Sequence, residues 1–305
     1  MADTPRVSVL LPVYNGGAYL EAAVQSLLDQ TFGDFEIIAI DDGSKDTSRA
    51  TLDRLARDEA RLKVISRENR GLIATLNEAM DRARGVYLAR MDADDIALPD
   101  RFAAQVAFLD AHPDVVAVGT RALLVDAEGW PLRPFAEKTT HAEIDAAHLE
   151  GRGGTIVHPA AMIRAEALRA VGGYDDRYPH AEDLDLFLRL GEQGQLANLP
   201  EILFHYRQQP QSIGHMHRDA QRESARAALE AAHERRGLKM ATVEVKSNPV
   251  SSAAQTHRRF AWWAQTAGYR ASARKHARLA LKHGPFDRDN IRLGLVILRD
   301  FLRGR

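Results

Sequence analysis

Apolar positions in the first 120 residues fall into short runs separated by helical stripes. The runs at residues 7–13, 36–40, 62–66, 86–91 and 115–118 read as strands. Between them, Leu20, Val24, Leu27 and Leu28 make one stripe at helical spacing, and Leu72, Leu76, Ala79 and Met80 make another. Strands alternating with helices predict right-handed crossovers and a mostly parallel sheet flanked by helices, an α/β fold. After Thr120 the rhythm changes. Loops bearing Gly, Pro and His surround an expected strand at 156–163, followed by helices at 165–171 and 182–193 and a strand around 202–206.

Residues 237–254 have weak periodicity and read as a linker. Beyond them the pattern is helical and rich in arginine. Trp262, Ala267, Gly268, Tyr269 and residues 277–285 faintly echo a helical hairpin. Residues 287–303 suit an amphipathic helix: Ile291, Leu295, Leu298 and Leu302 share one face, and Arg292, Arg299 and Arg303 another. The expected organisation is a catalytic-size domain over 1–236, a linker over 237–254 and a helical C-terminal extension over 255–305.

Charge sharpens that division. The net charge of −1 hides a tail (255–305) with 12 Lys and Arg against 3 Asp and Glu. The tail therefore suits an anionic partner, and the acidic remainder argues against nucleic acid. Packing on the body is the plainer reading of the amphipathic helix. A peripheral contact with anionic lipid is the alternative. No cysteine is present, which excludes a disulfide framework, a thiolate metal site and a cysteine nucleophile. The apolar run at 7–13 contains Pro12 and reads as a strand rather than a signal peptide, and no stretch reaches the length of a membrane span. The expected location is the cytoplasm, with the inner face of the cytoplasmic membrane as the peripheral variant.

Parallel sheets place ligands beyond the carboxyl ends of their strands. Here those ends carry Tyr14-Asn15-Gly16, Asp41-Asp42-Gly43-Ser44, Glu68-Asn69-Arg70-Gly71 and Asp92-Ala93-Asp94-Asp95. Three carboxylates in four residues repel one another unless a cation or hydrogen bonds offset them, and hard oxygen donors suit Mg²⁺ or Mn²⁺. A solvated acidic turn before the helix near Pro99 would read the same way. Asp-Gly after the second strand is a turn signal, and a strand-end carboxylate can equally accept bonds from a base or ribose. Neither G-x-G-x-x-G nor G-x-x-x-x-G-K-[ST] occurs, which disfavours those two routes to phosphate. Glu182-Asp183 opens a helix, where carboxylates complement the dipole or serve as a general base.

Taken in order, VSVLLPVYNGGAYLEAAVQSLLDQTFGDFEIIAIDDGSKDTS, ENRGLIATLNEAM, ARMDADDIALPDRF, HPAAMIRAEALRAVGGYDD, HAEDLDLFLRL and LPEILFHYRQQPQSI resemble the GT-A inverting glycosyltransferases of family 2. The likeness covers roughly residues 5–215. It implies the GT-A nucleotide-diphospho-sugar transferase fold with the helical tail as an addition. Pro12, Tyr14 and Asn15 would line the nucleotide pocket, Asp41 with Asp42 beside it would meet the base, often uracil, and Arg70 would lie near the nucleotide. Asp92-Ala93-Asp94 matches the D-x-D motif: Asp92 would face the ribose, Asp94 would bind Mn²⁺ or Mg²⁺, and Asp95 would order the loop. Asp183 would be the catalytic base, with Glu182 in support. His158 and His205 match positions near the donor sugar or acceptor cleft, although a lone histidine is by default structural. His215 or His217 would supply a late metal ligand, or else a solvated helix start.

The Q-x-x-R-W motif of processive members is absent. The resemblance therefore implies a non-processive inverting transferase that moves a sugar from a nucleotide-sugar donor, UDP-linked by preference, to a saccharide or lipid-linked acceptor in surface-polysaccharide or glycolipid assembly. A sugar nucleotidyltransferase and a degenerate, scaffold-like family member are the competing readings.

Overall fold

The computed structural model describes residues 4–208, 218–239 and 252–302. They fall into two compact units. One takes the described residues of Met1–Ala122, Ala136–His205 and Asp219–Val245, the other those of Leu123–Phe135, Tyr206–Arg218 and Lys246–Arg305.

The first unit opens with β1 (Val7–Val13), α1 (Leu20–Leu28), β2 (Phe35–Asp42), α2 (Ser48–Leu55), β3 (Leu62–Arg67), α3 (Leu72–Arg82) and β4 (Tyr87–Arg90). Every residue of β1 and β2 is buried, as expected of apolar runs in a sheet covered on both faces. These four strands are parallel, with Val13 beside Asp41, Asp42 beside Arg67, and Leu10 beside Arg90. After β5 (Ile96–Ala97), α4 (Arg101–Ala111) and β6 (Val115–Val125) come β7 (Pro131–Phe135, in the second unit), α5 (His141–Leu149), β8 (Met162–Arg164), α6 (Ala165–Ala170), α7 (Glu182–Gly191), β9 (Gln195–Arg207) and α8 (Arg218–Arg235).

The strand order is β3-β2-β1-β4-β8-β6-β9-β5. β8 runs antiparallel to both β4 and β6, and β5 antiparallel to β9. The parallel expectation thus describes β3-β2-β1-β4, and the sheet as a whole is mixed. The expected strand at 156–163 shrinks to β8 because Pro159, with no N–H and a fixed φ, sits in a 3-10 turn at His158–Ala160. β9 exceeds its expected span because buried Asn198 satisfies its amide on Lys138 O at 2.7 Å and Thr155 O at 2.8 Å. That polar residue interrupts the apolar run without ending the strand.

A core of Leu10, Ile38, Ile40, Leu76, Leu88, Ile163, Leu168 and Phe187 joins the sheet to α3, α6 and α7. Each such side chain contributes about 1.5–3 kcal/mol by leaving water. α8 packs Ala225, Leu229 and Ala232 on Ala181, Leu184 and Leu188, which backs α7 from the other side.

In the second unit, α9 (Ala253–Thr266), α10 (Arg270–His283) and α11 (Arg288–Leu302) pack through Ala261, Ala264, Ala273, Ala277, Leu293 and Ile297. The end of β6 and β7 form a hairpin that this unit includes, with Leu124 and Leu132 buried against Phe260. The hairpin turn is built on Asp126, whose carboxylate accepts from the Glu128 and Trp130 N–H groups at 2.9 Å and meets Lys275 and His276. The sequence boundaries assign this hairpin to the first domain instead. Most of the expected linker lies outside the described residues, and α9 follows at once from a capping box on Ser252.

α11 turns the expected apolar stripe outward. Ile291, Leu295 and Leu298 are 43%, 62% and 53% exposed, while Asn290, Leu293 and Ile297 face inward. Both stripes have helical spacing. The inner one wins because Asn290 also ties its amide to Ala280 O and Gly284 O at 3.0 Å. No helix among the described residues is long and apolar enough to cross a membrane.

Candidate functional site

The chain runs from β1 outward through β2 to β3 and then returns to place β4 on the other side of β1. That reversal makes the carboxyl ends of β1 and β4 a natural crevice. Pro12 helps open it. Leu10 O accepts from Met91 N at 3.2 Å, so Leu10 faces β4, and by alternation Pro12 faces β4 two residues further on. The β1–β4 pairing has ended at Leu10, and the missing N–H costs no ladder bond.

Tyr14, which follows, is 52% exposed. Asn15 takes a left-handed φ of 52° and clamps the loop after β2: its N–H donates to Ser44 Oγ at 2.9 Å, and its Oδ1 accepts from Lys45 N at 2.8 Å. Asparagine tolerates that conformation better than most residues. Gly17 N–H adds a bond to Asp46 Oδ2 at 2.9 Å. Gly16 lies against the acidic loop, where a Cβ would come within 3.2 Å of Ala93 Cβ. Ala93 is therefore a packing surface for the β1 loop.

Asp41 is buried and accepts from Ser44 N at 3.1 Å. Asp42 turns the other way. Its carboxylate accepts from Arg70 N at 2.8 Å and Gly71 N at 2.9 Å and pairs with Arg67, capping the entry to α3. Asp42 thus shapes the loop that presents Arg70, whose own side chain is exposed. Gly43 must be glycine here: its φ is 75°, and a Cβ would meet Asn69 N at 2.8 Å.

Asp92, Asp94 and Asp95 each bring a carboxylate oxygen within 4.8 Å of the others. This all-oxygen set fits a hard divalent cation, and Asp92 and Asp94 are only half-buried, open to a phosphate-bearing ligand. Asp95 is 1% exposed and lies within electrostatic reach of two buried guanidinium groups, Arg90 and Arg101. Arg101 is itself held by Gln105 Oε1 at 3.1 Å and by Arg90 O at 2.9 Å, and burial lowers its pKa to about 9.

The second wall comes from β8, α6 and α7. The Asn77 side chain in α3 donates from Nδ2 to Tyr174 O at 2.8 Å and accepts at Oδ1 from Tyr174 N at 2.9 Å, which fixes the Gly172-Gly173 turn before it. The Tyr174 hydroxyl meets His158 Nε2 at 2.8 Å. Burial, followed by the charge of Arg90, keeps His158 neutral by pushing its pKa well below the usual histidine value. His158 also stands edge-on to Phe187. His158 is thus a buried, hydrogen-bonded wall residue.

Glu182 and Asp183 open α7 just after His180, a non-glycine residue at φ 66° whose carbonyl accepts from Gln221 in α8 at 3.0 Å. Burial, reinforced by the neighbouring Asp183 charge, pushes Glu182 up to about 7. Burial likewise raises Asp183, which is partly exposed, although the Leu184 N–H bond to its Oδ1 at 2.8 Å works the other way. Arg90 connects the halves. It is 3% exposed, pairs with Asp92, and acts electrostatically on Glu182, Asp183 and Tyr174. Burial opposes its charge, and the acidic neighbours, Asp92 first, more than offset that and raise its pKa.

The structure therefore brings Tyr14, Asn15, Asp41, Asp92, Ala93 and Asp94 to one sheet edge, and joins Glu182, Asp183 and His158 to them through Arg90. His217 and its neighbour His215 lie outside the described residues, while His205 stands in β9 opposite Ile96. Sequence reasoning overlooked Arg90 and Tyr174. A charged residue inside the apolar run before Asp92 was the available signal for Arg90; nothing local marked Tyr174.

The family model described as "Glycosyl transferase family 2" matches residues 8–172. EpsE of Bacillus subtilis (strain 168), which carries the name glycosyltransferase, is 35% identical over 213 residues, 68% of this chain and 75% of that protein. Among solved structures, S. aureus TarS 1-349 in complex with UDP-GlcNAc superposes with a TM-score of 0.58 at 16% identity, covering 98% of this chain and 92% of that one. The mannosyltransferase PcManGT from Pyrobaculum calidifontis, in complex with GDP-Man and Mn²⁺, gives 0.55 at 19% identity over 94% and 89%. Both likenesses include the C-terminal helices, and the fold is GT-A with a helical extension. With the family model matching over residues 8–172 and a relative 35% identical over 213 residues, the chain belongs to glycosyltransferase family 2.

Proposed function

We propose that the protein is a metal-dependent, non-processive, inverting glycosyltransferase that uses a nucleotide-diphosphate sugar, UDP-linked by preference, and a saccharide or lipid-linked acceptor. Surface-polysaccharide or glycolipid assembly is the setting this reading favours. The observation that carries it is the shared electrostatics of the two carboxylate groups: a half-buried acidic loop at the sheet edge and the Glu182–Asp183 pair, whose pKa values burial raises, both coupled to Arg90.

Tyr14 offers an exposed ring for a base to stack on, and Asp41 a buried carboxylate for its polar edge. Asp92 faces the ribose. Asp94, with its acidic neighbours, would hold Mn²⁺ or Mg²⁺, which supplies charge neutralisation for a diphosphate leaving group. Asp183 takes the proton from an acceptor hydroxyl as that oxygen bonds to the anomeric carbon. The bond from that carbon to the diphosphate breaks on the opposite face, and the configuration inverts. Burial and the charge of an ionised Asp183 raise Glu182 to about 7, so Glu182 holds the proton while Asp183 is the basic member, and the pair does not carry two adjacent charges in a buried site. The missing Q-x-x-R-W motif supports transfer of a single sugar over polymerisation.

The test is nucleoside-diphosphate release across UDP-, GDP- and dTDP-sugars with and without Mn²⁺. Slow, Mn²⁺-dependent hydrolysis of one donor is expected, and Asp94→Asn should lose both that activity and the rise in melting temperature that Mn²⁺ gives the wild type. Metal-independent release, or an Asp94→Asn variant that still gains stability from Mn²⁺, would overturn the metal assignment.

A further inference from the structure

We propose that the helical unit carries a docking face for an anionic lipid surface, formed by α10, α11 and the turn of the β6–β7 hairpin. This goes beyond the transfer reaction and does not depend on it.

α11 has two apolar faces. The inner one, Leu293 and Ile297, is buried in the helical core. The outer one, Ile291, Leu295 and Leu298, covers nothing among the described residues, and Phe286 in the preceding turn is 92% exposed. Successive residues of a helix turn by about 100°. On that wheel Arg288, Arg292 and Arg299 lie together on the flank of the outer stripe. On its other side runs a groove of about 620 Å³, floored by Ala277 and Gly294 and lined by Trp130, Arg274, Arg278 and Leu298. Trp130 is 40% exposed and lies 5.2 Å from the Lys275 ammonium.

The acids of this stretch are directed elsewhere. Asp287 and Asp289 pair with Arg258 of α9, and Asp300 accepts from Gln265 of α9 at 2.9 Å. Arg299 leans on Asp300 at 3.2 Å, but Arg278, Arg288 and Arg292 form no ion pair among the described residues. The outer face is therefore an apolar stripe between two rows of cations, with an aromatic ring at its margin. Each component has a matching part of a lipid surface: acyl boundary for the leucines, anionic headgroups for the arginines, and the interface for tryptophan. A second copy of the chain would present the same cations and repel this face, which argues for lipid over self-association.

Flotation of the full chain with vesicles tests this. Binding is expected to phosphatidylglycerol–phosphatidylcholine vesicles, to fall with added salt, and to be at least tenfold weaker on phosphatidylcholine alone. The double variant Leu295→Glu with Leu298→Glu, at exposed positions that leave the helical core intact, should bind the mixed vesicles at least tenfold less while keeping its melting temperature. Arg288→Glu with Arg292→Glu should act in the same direction without touching the apolar stripe. Absence of flotation, equal binding to both vesicle types, or unchanged binding of both variants would overturn the proposal. So would sedimentation showing a dimer that the leucine variants dissociate while vesicles bind neither form; that result would assign the face to a second copy.

Discussion

Glu182 and Asp183 are adjacent in sequence, yet their surroundings separate their tasks. Asp183 is partly open to an approaching acceptor, while Glu182 is 9% exposed and its pKa is raised by burial and by the Asp183 charge. Asp183→Asn keeps the shape and the Leu184 N–H bond but removes the basic oxygen. We expect nucleotide affinity within about twofold of wild type and transfer slowed by about 10²–10⁴, the usual weight of a general base. Near-normal turnover would place the base elsewhere. At this scale the grouping of Asp92, Asp94 and Asp95 was legible from type and spacing, because carboxylates at a strand end form a recognisable short pattern, whereas the role proposed for Asp183 rests on the family resemblance and not on spacing. Arg90 was not legible, since its role arises through space: its partners Tyr174, Glu182 and Asp183 lie some ninety residues away, and no local window contains them.

The loop between β3 and α3 illustrates how an element is set by a residue from another strand. Asp42 ends β2, yet it satisfies the first N–H groups of α3's entry and pairs with Arg67, which in turn reaches Glu78 Oε2 at 2.8 Å and Thr75 Oγ1 at 2.9 Å. Asp42→Ala would strand two backbone donors and remove one of the two carboxylates on the Arg67 guanidinium, a loss of about 2–4 kcal/mol. A fall in thermal stability with weakened donor binding is expected, since Arg70 is carried on that loop. A variant that melts like wild type would show the cap to be dispensable. The periods of β1, β2, β3, α1 and α3 could be read because each element buries one continuous run or stripe. β8 and β9 could not be bounded, because Pro159 and Asn198 break the pattern in opposite senses: one ends a strand inside an apolar run, and the other continues a strand through a polar position.

For the molecule as a whole, pH should act through opposed groups. Glu182 is lifted from 4.5 to about 7, so between those values the folded chain holds a proton that the unfolded chain has released. Its contribution to stability therefore falls as pH rises through that window. Glu36, bound by Lys63, Ser8 and Arg84 strongly enough to outweigh its burial, is held near 2; its contribution is complete above 4.5 and is lost as pH falls toward 2. Buried His148, pushed down to about 4 by desolvation, adds stability as pH rises through the window that Glu182 erodes. The informative measurement is thus a difference: the advantage of Glu182→Gln over wild type in melting temperature should grow as pH rises from about 4.5 to about 7 and then level off. A constant difference across that range would mean that Glu182 titrates normally. The interleaving of the two units has a different kind of consequence. The chain enters the helical unit at Leu123, leaves it at Phe135, and returns twice more. Neither unit can be released by one cleavage or acquired by one gene fusion. Leu124 and Leu132 are buried by Phe260, so a tail exchanged between relatives would arrive without its matching hairpin unless both segments were inherited together.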